Sequence, residues 1–341
     1  MIIAVDAMGG DLAPAEIVKG AAQGSKLYDV DVVLVGNEDD IKRHLPAEFA
    51  GSSRVSIRHA AEVIGMHEHV DAVRTKRDAS VVVAASMVKD GQADAMVSMG
   101  NTAAAMAAAT LKLRRIPGID RPALAALMPN RDGATILLDA GAVVDCSVEN
   151  LVQFAIMGSI YAQKVLSIAS PRIGLLSVGE EKSKGNEVTR AAHEELAAGP
   201  LNFIGNVEGR DLFSGAADVV VADGFAGNIA LKAAEGLAEH VADVIKDELR
   251  MHPLAWIPLA LLMPSMKRIK KRLDYSEYGG APLLGLNGMS IIGHGRSKAH
   301  AVASAVRAAK EAVSGGVVET IQSSLAGKAQ DFACAVNEEK T

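Results

Sequence analysis

The chain has 341 residues, 49% apolar, 22% charged and only 3% aromatic, and its 35 Lys plus Arg against 41 Asp plus Glu give a formal charge of -6. That composition excludes disordered, collagen-like and disulfide-scaffold chains. The acidic balance and scarce aromatic rings argue against a nucleic-acid partner, so any anionic partner must be met by a local patch.

The N-terminal stretch MIIAVDAMGGDLAP has no basic leader and turns acidic at Asp6, so it does not read as a signal peptide. Strands are predicted at Ile2–Val5, Val32–Val35, Val55–Ile57, Ala95–Ser98, Leu124–Met128, Thr135–Leu138, Ile173–Val178, Phe203–Ile204, Val219–Ala222 and Ser290–Ile292. Between them, helices are predicted at Pro14–Lys26, Val73–Lys89, Ala103–Arg114, Val148–Val165, Glu187–Ala197, Asn228–Arg250 and Lys298–Ala312. Short apolar runs followed by a Gly, Asn or Asp turn and an Ala-rich helix have the rhythm of a parallel α/β sheet. A single α/β unit over 1–315 is expected, with an insertion at 251–278 and a solvated tail at 316–341.

The insertion joins an uncharged apolar run, Leu254–Met263, to a basic cluster from Lys267 to Arg272, and Pro253, Pro258 and Pro264 break it into short pieces. The ten-residue apolar run falls short of the roughly 18–20 residues that span a bilayer but suits a membrane surface, with Leu254, Trp256, Ile257, Leu261 and Leu262 at the interface and Lys267 and Arg268 facing anionic headgroups. A dimer-contact or core helix pair is an equal alternative. A cytoplasmic chain, peripherally attached to the inner face of the cell membrane, is the expectation.

Ligands of open parallel sheets bind beyond the carboxyl ends of strands. The turns expected there are Asp6–Asp11 (DAMGGD), Met99–Thr102 (MGNT), Gly179–Glu187 (GEEKSKGNE), Asp223–Asn228 (DGFAGN) and Gly293–Lys298 (GHGRSK). Several open helices, whose free N–H groups and positive dipole ends hold phosphate. Each glycine alone is explained by turn geometry, so the inference of an anion site rests on these turns converging on one sheet edge. Named motifs fail: position 298 is Lys where a dinucleotide fingerprint needs Gly, Gly179–Gly185 is not a Walker loop, and Ser177 and Ser86–Lys89 lack partner motifs. His67 and His69 have no third metal ligand nearby, and Cys146 and Cys334 form no C-x-x-C pair, so no metal is expected.

In order, DAMGGD, VSMGNT, LLDAGAVVDC, GEEKSKGNE, GNVEGRD, DGFAGN and DYSEYGGAPLLG closely resemble the PlsX family of phosphate acyltransferases of bacterial phospholipid synthesis, over about Ile2 to Ala312. The resemblance implies a three-layer α/β/α sandwich with a mostly parallel sheet, isocitrate-dehydrogenase-like or phosphotransacetylase-like. It implies reversible transfer of a fatty acyl group from acyl carrier protein to inorganic phosphate, giving acyl phosphate without cofactor or metal. It also implies a homodimer at the anionic membrane surface, where a membrane glycerol-3-phosphate acyltransferase uses the product.

For that chemistry Lys184 with Gly185, Asn186 and Glu187 is assigned to phosphate, and Asn101 and Asn228 to phosphate or the thioester carbonyl as neutral donors. Gly100, Thr102 and Gly227 belong to the same turns, and Asp6, Asp223 and His294 are assigned to orienting water or protonating the thiolate. A covalent route through Cys146 is the rival, disfavoured because no base or cation adjoins it. The chain departs from the family at Val143 (usually Asn), Ala103 (Gly), Ala226 (Thr) and Arg296-Ser297-Lys298 (a small polar run). Arg74, Lys76 and Arg77, and Arg114 with Arg115, are candidates for docking acidic carrier protein. A phosphotransacetylase-like enzyme using acyl-CoA and a non-catalytic membrane-attached scaffold for carrier protein are the alternatives.

Overall fold

The computed structural model describes residues 1–251 and 279–325. The insertion expected at 251–278, with its membrane-contact residues, lies outside the described residues apart from Met251.

In chain order the first half contains β1 (Ile2–Asp6), α1 (Ala15–Tyr28), β2 (Asp31–Gly36), α2 (Glu38–His44), β3 (Val55–His59), α3 (Ala72–Thr75), α4 (Ser80–Lys89), β4 (Ala95–Ser98), α5 (Thr102–Leu113) and β5 (Ala123–Pro129). Next come β6 (Ala134–Leu138), α6 (Val148–Lys164), β7 (Ile173–Leu176), α7 (Glu187–Ala198), β8 (Phe203–Val207), β9 (Val219–Val221), α8 (Gly224–Met251), β10 (Ala281–Leu284), β11 (Met289–Ile292) and α9 (Ala299–Ser314). Val, Ile and Leu runs buried on both faces form the central strands, as helices on both sides of a sheet require.

The strands make one 11-stranded sheet in the order β3-β2-β1-β4-β11-β10-β5-β6-β9-β7-β8. Pairing is parallel except where β10 meets β11 and β5, and where β5 meets β6. The short strand β10 is a staggered hinge pin: Ala281 and Pro282 pair with β11, while Leu283 and Leu284 pair with β5. It joins two half-sheets, and β6, β9, β7 and β8 run opposite to β1, β4 and β11. The expected turns therefore follow strands of opposite direction; residues of those at 99–102, 223–228 and 293–298 meet where the half-sheets join, whereas the 179–187 turn does not reach that place.

One core layer buries Ile3, Val5, Ile17, Phe154, Tyr161 and Val302 beneath α1, α6 and α9. On the other face, Met96, Ala105, Ala109 and Ile292 pack under α4 and α5, and Ala126, Leu137 and Val220 under α8. A Cβ at Gly20 would fall 2.8 Å from Ala299 Cα, so this glycine lets α1 and α9 touch backbone to backbone.

The observed elements differ from the expected ones in four places. The helix expected over Val73–Lys89 is split, because Ala79 is extended and bridges Glu62, and Asp78 accepts from Ala61 N at 2.8 Å. The strand β10 and the helix α2 are additional. Residues 317–325, read as solvated tail, are helical, with Val317, Ile321 and Leu325 buried in the core.

Candidate active site

The seam between the half-sheets opens into a cavity of about 610 Å³. Its apolar wall includes Met99, Leu124, Leu127, Leu231 and Ile292, and its polar groups include Thr102, Asn228, Lys232, His294, Arg296 and Lys298. A seam where chain order reverses is where an α/β sheet leaves a crevice open.

Three loops interlock on the first half-sheet's side. Asp6, at the end of β1, is buried and accepts from Ser80 Oγ at 2.6 Å and Ser98 Oγ at 2.7 Å. Burial pushes its carboxyl above the usual range against the pull of both hydroxyls and the Met8 and Gly9 amides. A Cβ at Gly9 would reach 2.9 Å from Gly100 Cα, which seats the Asp6–Asp11 turn on the Met99–Thr102 turn. Asp11 N donates to Gly295 O at 2.8 Å and Gly293 N to Ser98 O at 2.9 Å, fastening the 293–298 turn beside them.

Asn101 caps α5 by accepting from Ala104 N at 3.1 Å, and its Nδ2 donates to the Met66 and Glu68 carbonyls, each at 3.0 Å. Both amide hydrogens are thus engaged, so its geometry fits fastening the 66–68 loop rather than donating to a substrate. A Cβ on Gly295 would run into Met66 Cε, so this loop also seats the 293–298 turn. Arg296 N donates to His294 Nδ1 at 3.2 Å, which holds the imidazole against its own turn.

On the second half-sheet's side a different carboxylate organises the wall. Asp139, fully buried after β6, accepts from the backbone N–H groups of Leu124, Gly141, Ala142 and Val143, the closest at 2.7 Å. Burial again raises its carboxyl, opposed by those amides. A Cβ at Gly224 would lie 2.8 Å from Asp139 Oδ2, and one at Gly227 would drive into the Asp139 carbonyl oxygen. The start of α8 is thereby pressed onto the 139–143 turn, with Asp223 Oδ1 accepting from Ala226 N at 2.7 Å and Asn228 facing the cavity beside Gly141. Val143, in the place of the family's Asn, works through its backbone: its N–H donates to Asp139 and its carbonyl accepts from Gly224 N at 2.8 Å.

Of the residues singled out from sequence, Thr102, Asn228 and His294 line the cavity; Asp6, Gly100, Asn101, Asp223 and Gly227 stand behind it as supports. Lys184, Gly185, Asn186 and Glu187 do not line it. They belong to the loop after β7 and the first residue of α7; Lys184 is exposed and Asn186 caps α7 by accepting from Thr189 N at 2.9 Å. Asp139 escaped notice because LLDAGAVVDC reads as an ordinary turn. The signal was the acid placed directly after a fully apolar strand, as Asp6 is. Cys146 is half-buried and its thiol is pushed up to about 12 by burial, with Asp139, Asp223 and Asp145 adding to the rise, so it is a poor nucleophile. Among the described residues no group of three or more His, Cys, Asp and Glu could hold a metal ion, and no helix is long and apolar enough to cross a membrane.

Of the basic pairs, Lys76 is tied to Glu68 at 2.7 Å and Arg115 is bound to Asp120, whereas Arg74, Arg77 and Arg114 are exposed.

A two-half α/β sheet with a cavity at its seam defines the class: a phosphotransacetylase-like three-layer fold. A phosphotransacetylase from Streptococcus pyogenes superposes with a TM-score of 0.61 at 19% identity, covering 92% of this chain and 94% of that one. The family model described as fatty acid synthesis protein matches residues 1–320. Proteins named phosphate acyltransferase from Pelotomaculum thermopropionicum (53% identical, 95% of each chain) and Desulfitobacterium hafniense (51%, 95% of this chain and 98% of that one) are similar over nearly their whole length. The chain belongs to this fatty acid synthesis protein family, the PlsX family, and is an acyltransferase.

Proposed function

We propose that the chain transfers a fatty acyl group from acyl carrier protein to inorganic phosphate. The observation that carries this reading is the seam cavity, which joins an apolar wall suited to an acyl chain to a polar side where Thr102, Asn228 and His294 suit the thioester carbonyl and the attacking phosphate. In the reaction a phosphate oxygen attacks the thioester carbonyl carbon. The new C–O bond gives a tetrahedral oxyanion, the C–S bond breaks, and the thiolate takes up a proton. Asn228 and Thr102 supply neutral donors where negative charge gathers, with no competing base. His294, on the cavity wall, is assigned to passing the proton that hydrogen phosphate gives up on to the departing sulfur. The Lys184 loop, one strand further along the sheet, is assigned to guiding phosphate rather than to the reacting atoms.

The reaction also runs backwards, since acyl phosphate is itself an activated acyl donor. The phosphotransacetylase-like fold favours one second reading, with acyl-CoA as donor; equal turnover of acyl-CoA and acyl carrier protein thioesters supports it. We further propose a cytoplasmic homodimer acting at the membrane surface. The support is the long α8, whose outer part leaves Leu237, Val241, Val244 and Ile245 exposed, an apolar stripe suited to a second copy. Light scattering of the purified chain tests the dimer, and vesicle flotation tests the surface contact. The acyl-transfer reading is tested by phosphate-dependent release of free carrier protein from its acyl form, with acyl phosphate trapped.

A further inference from the structure

We propose that Arg296 and Lys298 form a phosphate-holding subsite at the mouth of the cavity, whose occupant is the phosphodiester of the donor's pantetheine arm. This inference rests on the acyl-transfer reading and names how that site recognises its donor. Both residues line the cavity and both are exposed, which puts them at its rim rather than against the apolar wall.

The charge balance of the cavity singles them out. Lys232 is neutralised by Glu235 at 2.7 Å, whereas neither Arg296 nor Lys298 has an ion-pair partner among the described residues. Two acids stand nearby without pairing with either cation. Glu16 accepts from Ala299 N at 2.8 Å at the start of α9, and Asp11 Oδ2, which would lie 3.7 Å from a Cβ on Gly295, forms no ion pair with either cation among the described residues.

The turn that carries the two cations is also fixed before any ligand arrives. Gly293 N is bonded to Ser98 O at 2.9 Å, Gly295 O accepts from Asp11 N at 2.8 Å, and Ser297 N donates to His294 O at 2.9 Å. A guanidinium and an ammonium held two residues apart on such a turn offer one fork and one point charge, the pairing that phosphate oxygens favour. Carrier-protein and CoA thioesters share a pantetheine arm with a phosphate remote from the sulfur. An exposed rim site meets that phosphate, while the attacking phosphate must lie deeper, beside the carbonyl.

The test is equilibrium binding, independent of turnover. Wild type and the double variant Arg296→Ala, Lys298→Ala are titrated with phosphopantetheine, pantetheine and inorganic phosphate, after matching melting curves verify that both are folded. Wild type is expected to bind phosphopantetheine about tenfold or more tightly than pantetheine, the worth of one charge-assisted contact, and the double variant to lose that preference. If instead inorganic phosphate alone weakens about tenfold, the phosphate subsite stands with the attacking phosphate as its occupant. Unchanged affinities for all three probes overturn the proposal. A failure of acyl transfer with intact phosphopantetheine discrimination would count against the acyl-transfer reading and leave the subsite standing.

Discussion

Asp6 and Asp139 occupy matching places, each buried where a central strand of its own half-sheet runs out, and each holds glycine turns rather than facing the cavity. Both carboxyls are raised by burial, so the folded state binds their protons more readily than the unfolded state does. The stabilisation this adds is fully present below the unfolded value of 3.8 and is lost as pH rises through the folded value. Asp6→Asn keeps a shape that Ser80 and Ser98 can still hydrogen-bond. It is expected to flatten the stability–pH curve above pH 3.8, read as urea midpoints at successive pH values; a curve that superposes on wild type contradicts this. At the cavity itself, Asn228→Ala is expected to lower kcat about 100-fold, the usual worth of one donor to a developing oxyanion. Lys184→Ala is expected to cost less, and an equal loss would mean that the 179–187 loop closes over the cavity during turnover. Cys146→Ser is expected to retain turnover, since a thiol pushed up to about 12 supplies almost no thiolate near neutrality. Among these residues, Asn228 and His294 were legible from the sequence because they stand in Gly-rich turns at strand ends. Asp139 was not, because its partners are backbone N–H groups whose convergence only the folded turn creates.

Most strands were visible in the sequence as β-branched runs, and most helices as Ala-rich stretches behind them. The exception that matters is β10. Its sequence, APLL, contains a proline and is only four residues long, so it carries no period that marks a strand. Yet β10 joins the half-sheets, and its two antiparallel pairings followed by the antiparallel pairing of β5 with β6 leave β6, β9, β7 and β8 opposite to β1, so the expected turns belong to strands of both directions. Parallel and antiparallel strands buried on both faces have the same composition, so direction was not readable. The helix starts are equally dependent on contacts distant in sequence. Gly227 lets the first turn of α8 press on the Asp139 carbonyl, and Gly227→Ala forces the two apart. We expect that variant to lose about 3 kcal/mol of stability, measured by urea unfolding, because backbone on both sides cannot yield. Wild-type stability in this variant would mean that α8 does not rest on the 139–143 turn.

At the scale of the molecule, two half-sheets meet along a seam, and each brings one wall to the cavity. The first half contributes Met99, Thr102 and the 293–298 turn, and the second contributes Gly141, Asn228 and Leu231. Transfer between two substrates fits this arrangement, since a single closed half-sheet would offer only one wall. The net charge of -6 does not describe the mouth of the cavity, where Arg296 and Lys298 stand without acid partners among the described residues. An acidic body with a few basic contact points suits a partner that is itself acidic, and it is expected to make donor use weaken as salt rises. The most direct measurement incubates the purified chain with acyl carrier protein thioester, with and without inorganic phosphate, and quantifies freed thiol and hydroxylamine-trapped acyl group together. Equal amounts of thiol and trapped acyl group, both dependent on phosphate, are expected. Thiol released at the same rate without phosphate, or no release at all, would contradict acyl transfer to phosphate at this seam.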